Sequence, residues 1–485
     1  MSIHRNSDAA SVFSFFQEIE KIPRGSGNEK AISDYIVAFA KEKGFWYQQD
    51  AFHNVIVKKP ASAGYEDAPT VMLQGHMDMV CEKEWDISHD FLQDPIELET
   101  ENDWLHAKGT TLGADDGIAV AMMLAVLAED DLPHPAIEAV FTVDEEVGMT
   151  GAQNLDTSCL TAKYLINMDT EEEGVLLAGC CGGRRVHISL PIEQEAIPSH
   201  AAAKQLRIFG LFGGHSGSEI HLQRANADIL MGRVCSNLCK EISSFKLSAI
   251  GGGQMDNAIC RDATATLVVD ASDAIRAETL VAALEATLQQ EYANCDTNLR
   301  ITLEDCPLPA QTYSRITTQR IADILLLMPY GVQSMCLDLP GLVESSTNLG
   351  VVKEDHGTII FESAVRSSVF SRKILIQEKM ETIARLCGAT LSFGGEYPGW
   401  NYNPSSKLLH LAEETFQSMF GKKPIVQAIH AGLECGLFAE KMPGLDIIAF
   451  GPDMRDVHTP KERLSISSTI RSYQFLCAML AAIHE

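Results

Sequence analysis

His76 and Asp78 stand two residues apart, just where the apolar run 71–73 breaks at Gly75. In an extended chain, residues i and i+2 face the same side, so both side chains can serve one centre. A neutral imidazole binds a metal through one ring nitrogen while a carboxylate holds the other. More acids, and one late histidine, recur at the ends of apolar runs. Asp115 and Asp116 precede the run 118–128, Asp144, Glu145 and Glu146 follow 137–143, Asp169 follows 164–168, and His458 lies beyond 445–450. Two acids at a helix start are also what the helix dipole favours, so capping is an alternative role for Asp115 and Asp116.

The set His76, Asp115, Glu146, Asp169 and His458 is too large for one tetrahedral zinc with an open position. It suits two ions that share a carboxylate. The expected division is His76 with Asp169 on one ion, Glu146 with His458 on the other, and Asp115 between them. Imidazole and carboxylate donors without thiolate suit zinc, with cobalt or manganese as alternatives. Two such ions ~3.5–4 Å apart hold a hydroxide and polarise a carbonyl. Glu145, left unligated, can take a proton from the water and return it to a leaving amine. Asp78 can orient His76.

The elements that must hold these groups alternate between strand and helix. That predicts an α/β catalytic domain with a mostly parallel sheet flanked by helices, its ligands at the carboxyl ends of the strands. Helical spacing of Val12, Phe13, Phe16 and Ile19, and of Ile32, Tyr35, Ile36 and Phe39, predicts helices over 9–24 and 28–43. The segment 81–106 is polar and reads as an excursion beside the site. From about Gly182 the texture changes. A strand is expected over 205–212, a glycine turn with His215 over 213–217, and a long helix over 219–243. A strand–helix–strand unit then occurs twice, over 264–303 and 358–393. The reading is an inserted α+β lid of two related halves, residues 183–398, interrupting a catalytic domain made of 1–182 and 399–485.

A chain of 485 residues is long for a single core, and 46% hydrophobic with 21% charged residues is ordinary for a globular protein. The formal charge of −28 argues against a nucleic-acid partner; it serves solubility first, and a negative field that draws metal cations and cationic substrates is the alternative. The longest apolar run, 118–128, is shorter than the ~20 residues a membrane span needs, so no membrane association is expected. Thirteen cysteines without a CxxC pair read as reduced thiols. With no signal-peptide pattern in 1–22, the expected compartment is the cytoplasm.

The motifs Gly-His-Met-Asp-Met-Val (75–80), Gly-Ala-Asp-Asp-Gly (113–117), Asp-Glu-Glu-Val-Gly (144–148) and Asn-Met-Asp (167–169), with the late His458, resemble one family. It is that of the co-catalytic zinc peptidases, which includes aminoacylase, carboxypeptidase G, tripeptidase T and carnosinase. The resemblance covers nearly the whole chain. The segments 210–217, 257–259, 344–348 and 430–436 point to its dipeptidase branch. It implies His76, Asp115, Glu146, Asp169 and His458 as metal ligands, Glu145 as general base, Asp78 as the acid behind His76, and a cis Asp115–Asp116 peptide. His215 matches a lid histidine that donates to the oxyanion. Small-lid relatives borrow it across a homodimer, and a lid this large supplies it either that way or within the chain. The free carboxylate of a dipeptide wants an arginine fork. Arg366 and Arg261, with Asn257, are the candidates, and Glu434 can either meet the substrate amine or cap its own helix. The expected function is a metal-dependent dipeptidase acting on unblocked L-dipeptides, Xaa-His included. The alternatives are an N-acyl amino acid deacylase or tripeptidase on the same scaffold, or an inactive metal-binding relative. Need for a free amine, and a stop at two residues, discriminate among them.

Overall fold

The computed structural model describes residues 9–337 and 339–484. The first eight residues, on which part of the leader reading falls, lie outside the described residues. The chain forms two compact units. One runs to Cys180 and takes up Trp400–Ala428 and the chain from Leu433 on, and the other comprises Cys181–Gly399 with Ile429–Gly432.

The first unit is built on an eight-stranded sheet. Its spatial order is Trp46–Gln49, Val55–Lys59, Ile137–Thr142, Val71–His76, Tyr164–Asn167, Asp446–Ala449, Val175–Cys180 and Ile425–Ile429. The four central strands, Ile137–Thr142 to Asp446–Ala449, are mutually parallel. Outside them, Val55–Lys59 and Val175–Cys180 pair antiparallel. The class is therefore α/β with a mixed sheet, parallel at its centre, where the burial is greatest. Every residue of Val71–His76 and Ile137–Thr142 is buried, as expected of strands covered on both faces.

Helix Ala114–Ala128 is buried along its length up to Leu127, which fits a segment that is apolar all round. It comes close to the sheet because Gly75 lacks a side chain: a Cβ there would lie 2.7 Å from Asp116 Oδ2 and 2.8 Å from Ala119 Cβ. Helices Ala10–Ile19 and Lys30–Lys43 bury Val12, Phe13, Phe16, Ile19, Ile32 and Ile36 in the same core. Gly44 ends the second of them in a left-handed conformation, φ 72°, its N–H returning to Ala40 and Lys41 carbonyls. The polar excursion 81–106 contains part of a small separate sheet, in which Leu98–Glu101 pairs with Trp104–Ala107 and that strand with Arg463–Ser465.

The second unit is organised around one antiparallel sheet. Its principal order is Arg300–Asp305, Ala201–Phe209, Ala263–Asp270, Lys246–Gly252, Val343–Asp355, Thr358–Ser367, Gly182–Pro191 and Thr390–Tyr397. Two copies of one topology account for it. In chain order the inner copy is strand Ala201–Phe209, helix Ala227–Glu241, strands Lys246–Gly252 and Ala263–Asp270, helix Ala274–Glu291 and strand Arg300–Asp305. The outer copy is strand Gly182–Pro191, helix Arg315–Leu327, strands Val343–Asp355 and Thr358–Ser367, helix Phe370–Leu386 and strand Thr390–Tyr397. Each is a β-α-β-β-α-β unit with strand order 4-1-3-2. They meet where Gly252 pairs with Val352. The two related halves expected from pattern are present, with one nested inside the other.

The long helix expected over 219–243 is two elements. A single turn of 3-10 helix, Ile220–Leu222, ends at Gln223 with φ 54°, and the α-helix Ala227–Glu241 starts afresh. Asn226 is the reason: its side chain accepts the N–H groups of Asp228 and Ile229, an N-cap placed inside the apolar periodicity.

Candidate metal centre

All of the expected ligands lie at the carboxyl edge of the parallel strands or in loops that reach it. His76 is the last residue of its strand, and Asp115 opens the buried helix. Glu145 and Glu146 follow Ile137–Thr142 in a turn that places Asp144 and Met149 at positive φ, 55° and 59°. Asp169 follows Tyr164–Asn167, and His458, φ 61°, lies beyond Asp446–Ala449. The Asp115–Asp116 peptide is cis.

Asp115 stands between the two histidines. Its Oδ1 is 3.2 Å from His76 Nε2 and its Oδ2 is 3.1 Å from His458 Nε2. His458 Nε2 is also 2.9 Å from Glu146 Oε1. Potential donor atoms of Asp115, Glu146 and His458 form one compact group, those of His76, Asp116 and Asp169 a second, and those of His76, Glu145 and Glu146 a third, each within 4.8 Å. Asp116 was not expected among these oxygens. It is wholly buried, and its Oδ2 accepts the His76 N–H at 3.3 Å while Oδ1 has no partner among the described residues.

Asp78 does more than face His76. Its Oδ1 is 3.3 Å from His76 Nδ1 and accepts the Glu145 N–H at 3.1 Å; its Oδ2 accepts from Ser26 Oγ at 2.8 Å and the Glu146 N–H at 3.3 Å. One buried carboxylate thus fixes an imidazole and the two-glutamate turn. Burial pulls this acid upward, but the bonds from His76, Ser26 and the Glu145 amide outweigh it and hold Asp78 below its ordinary range.

The donor set fits divalent cations. Burial first, then the acids Glu434, Glu146 and Asp115 against the opposing pull of His76, lift Glu145 to about 8. Burial and the nearby Asp115 likewise raise Asp169 well above its usual value. Hydrogen bonds to Asp115 and Glu146 push His458 up to about 11. A cluster that crowds carboxylates and stabilises positive charge at its imidazoles is what two bound cations would satisfy.

Glu434 is placed in this unit too. Its Oε2 accepts from Gln74 Nε2 at 2.5 Å and Thr142 Oγ1 at 2.6 Å, while its buried Oε1 has no partner among the described residues. It makes no capping bond to helix Glu434–Lys441.

The second unit holds His215, Asn257, Arg261 and Arg366. His215 pairs in a short ribbon with Ala258, next to Asn257. Its Nδ1 accepts the N–H groups of Gly217 at 3.3 Å and Ser218 at 3.2 Å. Burial, then the positive charge of Arg366, lowers its pKa, which favours the neutral ring. Arg366 is buried, with Nη1 donating to Tyr397 Oη at 2.9 Å. Arg261 is exposed; its side chain lies against Gly213, and it lines a cavity of about 610 Å³ with the glycines 251–253, Gly214 and Ala258.

Carboxylates on both imidazoles, with the further glutamate Glu145 beside them, are an arrangement suited to metal-assisted hydrolysis. The fold and site thus define a metallohydrolase. Residues 72–482 match Peptidase family M20/M25/M40, and the chain belongs to that family. It is 37% identical over 472 residues to the cytosol non-specific dipeptidase of Escherichia coli K12, covering 97% of each chain. The crystal structure of aminoacylhistidine dipeptidase from Vibrio alginolyticus superposes with a TM-score of 0.93 at 37% identity, over 99% of this chain and 98% of that one. The aminopeptidase PepT of Bacillus cereus shares the fold, with a TM-score of 0.57 at 15% identity over 99% of this chain and 100% of that one. The protein is a peptide-bond hydrolase. Among the described residues no helix is long and apolar enough to cross a membrane.

Proposed function

We propose that the protein is a metal-dependent dipeptidase that cleaves unblocked L-dipeptides, Xaa-His among them, with two divalent ions held by His76, Asp115, Glu146, Asp169 and His458. The observation that carries this reading is Asp115, which offers one oxygen to each histidine. The two dipeptidases at 37% identity support the substrate class. Zinc is the first candidate, with cobalt and manganese behind it. When bound, the ions supply Lewis-acid polarisation of the scissile carbonyl and a water acidified to near neutrality.

The chain's own groups do the rest. Glu145 takes the proton of the attacking water and delivers it to the leaving amine. Asp78 is a positioning residue, holding the His76 ring and the amides of Glu145 and Glu146 together. His215 spends Nδ1 on two backbone N–H groups, which leaves the proton on Nε2. That N–H is the donor to the oxyanion. A His215→Ala variant should lose roughly 10²–10³ in kcat with little change in KM, and unchanged steady-state kcat would remove the assignment.

Arg366 and Asn257 are the groups proposed for the substrate carboxylate, and the unpartnered Oε1 of Glu434 for its ammonium. Arg261, which is exposed where Arg366 is buried, is the second candidate. We also infer a cytoplasmic protein and a homodimer through the inserted domain. Mixing inactive His215→Ala and Glu145→Ala proteins tests whether His215 serves its partner's site, because exchange at the interface restores activity only in that arrangement.

The overall test is removal and return of metal. Chelated protein should be inactive, and reloading with zinc, cobalt or manganese should restore cleavage of free dipeptides but not of N-acylated or longer peptides. Restored cleavage of N-acyl amino acids instead would make it a deacylase.

A further inference from the structure

Glu462 is a buried acid with no place in the chemistry above, yet it makes four hydrogen bonds to one short loop. Its Oε2 accepts the N–H groups of Leu112 at 2.9 Å and Gly113 at 3.0 Å. Its Oε1 accepts those of Ala114 at 2.8 Å and Asp115 at 3.4 Å. These are the amides that lead into and begin helix Ala114–Ala128, where the dipole favours an anion. Charge-assisted bonds of this kind are stronger and shorter than neutral ones.

The acid is also tied to the other side of the centre. It lies four residues after His458, in a tight turn closed by its own N–H on the Thr459 carbonyl at 3.0 Å, while Thr459 Oγ1 donates to the Asp456 carbonyl at 2.6 Å. Strand Arg463–Ser465, paired with Trp104–Ala107, anchors the turn from behind. Arg24 continues the linkage. Fully buried, it donates through Nη2 to the Gly113 carbonyl at 2.6 Å and to Glu20 at 2.7 Å, and through Nη1 to the Met77 carbonyl at 3.2 Å. The loop that carries Asp115 is therefore gripped by an anion from the His458 turn and by a cation that also holds the carbonyl after His76.

We propose that Glu462 is a positioning residue that sets the separation of Asp115 and His458, and so selectively sets the affinity of the ion those two share with Glu146. The ion on the His76 and Asp169 side takes only Asp115 from the clamped loops, and Arg24 still holds that loop to the strand end when Glu462 is altered. Groups that orient metal ligands from behind are typically worth ~10–100-fold in metal affinity. The inference rests on the two-ion reading, and the experiment separates the two.

The test is cobalt titration of apo wild-type, Glu462→Gln and Glu462→Asp proteins, read by calorimetry and by the visible spectrum, with circular dichroism of each. Glutamine turns two of the four accepted bonds into clashes of donor with donor. Aspartate keeps the charge that the helix start favours, and with it the fold, but withdraws the carboxylate by one methylene. The expected result is two ions in the wild type, and in each folded variant one ion near wild-type affinity and one weakened ~10–100-fold. Both ions at wild-type affinity in a folded variant overturns the proposal. So does equal weakening of both, or loss of fold in the aspartate variant, since Glu462 then serves only the loop's stability. Fewer than two ions in the wild type overturns the two-ion reading itself.

Discussion

A Glu145→Gln protein is expected to bind both ions and to turn over at ~10²–10⁴-fold lower kcat than wild type. Glutamine keeps the shape of the side chain and removes its ability to accept a proton. The residue's backbone is held independently of its side chain, because its N–H is bound to Asp78. The neighbouring Glu146 keeps its contact with His458, so the ligand set survives. Metal content measured alongside steady-state kinetics decides the matter. Wild-type turnover in the metal-replete variant would show that another group moves the proton, and loss of an ion would make Glu145 a ligand.

The second large effect is expected at Asp115. Replacing it by asparagine leaves one oxygen where two are used, so only one of the two histidines can keep an Asp115 oxygen beside its Nε2. The amide nitrogen then points a donor at the other imidazole. One of the ions should be lost at micromolar concentrations, together with several kcal/mol of transition-state stabilisation, roughly 10³-fold or more in kcat/KM. The contrast with Glu145→Gln is the informative part: one variant loses proton transfer with metal retained, the other loses metal. An Asp115→Asn protein that held two ions at wild-type affinity would show that the carboxylate is not shared.

Much of this centre was readable in the chain because parallel strands are buried runs that end abruptly. His76 ends such a run, Glu145, Glu146 and Asp169 each follow one, Asp115 opens a buried helical run, and the fold brings these positions to one edge of the sheet. Groups that act through backbone amides were not readable. Glu462 sits in an ordinary charged loop, and its significance comes from amides some 350 positions earlier. Arg24 is the last residue of the helical pattern 9–24, and nothing in the sequence marks the burial that leaves it 1% exposed. Asp116 was visible but indistinguishable from a cap, because only the closeness of Gly75 to the helix turns it toward His76. In the second unit the repeated strand–helix–strand pattern was legible, whereas Asn226 broke a helix that periodicity alone would have continued. Of the two arginines matched to the substrate carboxylate, burial separates Arg366 from Arg261, and burial is not written in sequence.

The nesting of one β-α-β-β-α-β unit inside the other has a bearing on how the protein is made. As the polypeptide leaves the ribosome, Gly182–Pro191 emerges early but must await Thr358–Ser367 and Thr390–Tyr397, its sheet partners, through the synthesis of more than 150 intervening positions. The inner unit, 201–305, pairs its own strands entirely within residues made before Thr358–Ser367 and can complete itself meanwhile. Once folded, it shortens the flexible loop that the outer strands must close and so lowers the entropy that their pairing costs. Translation order and topology here favour assembly from the inside outward.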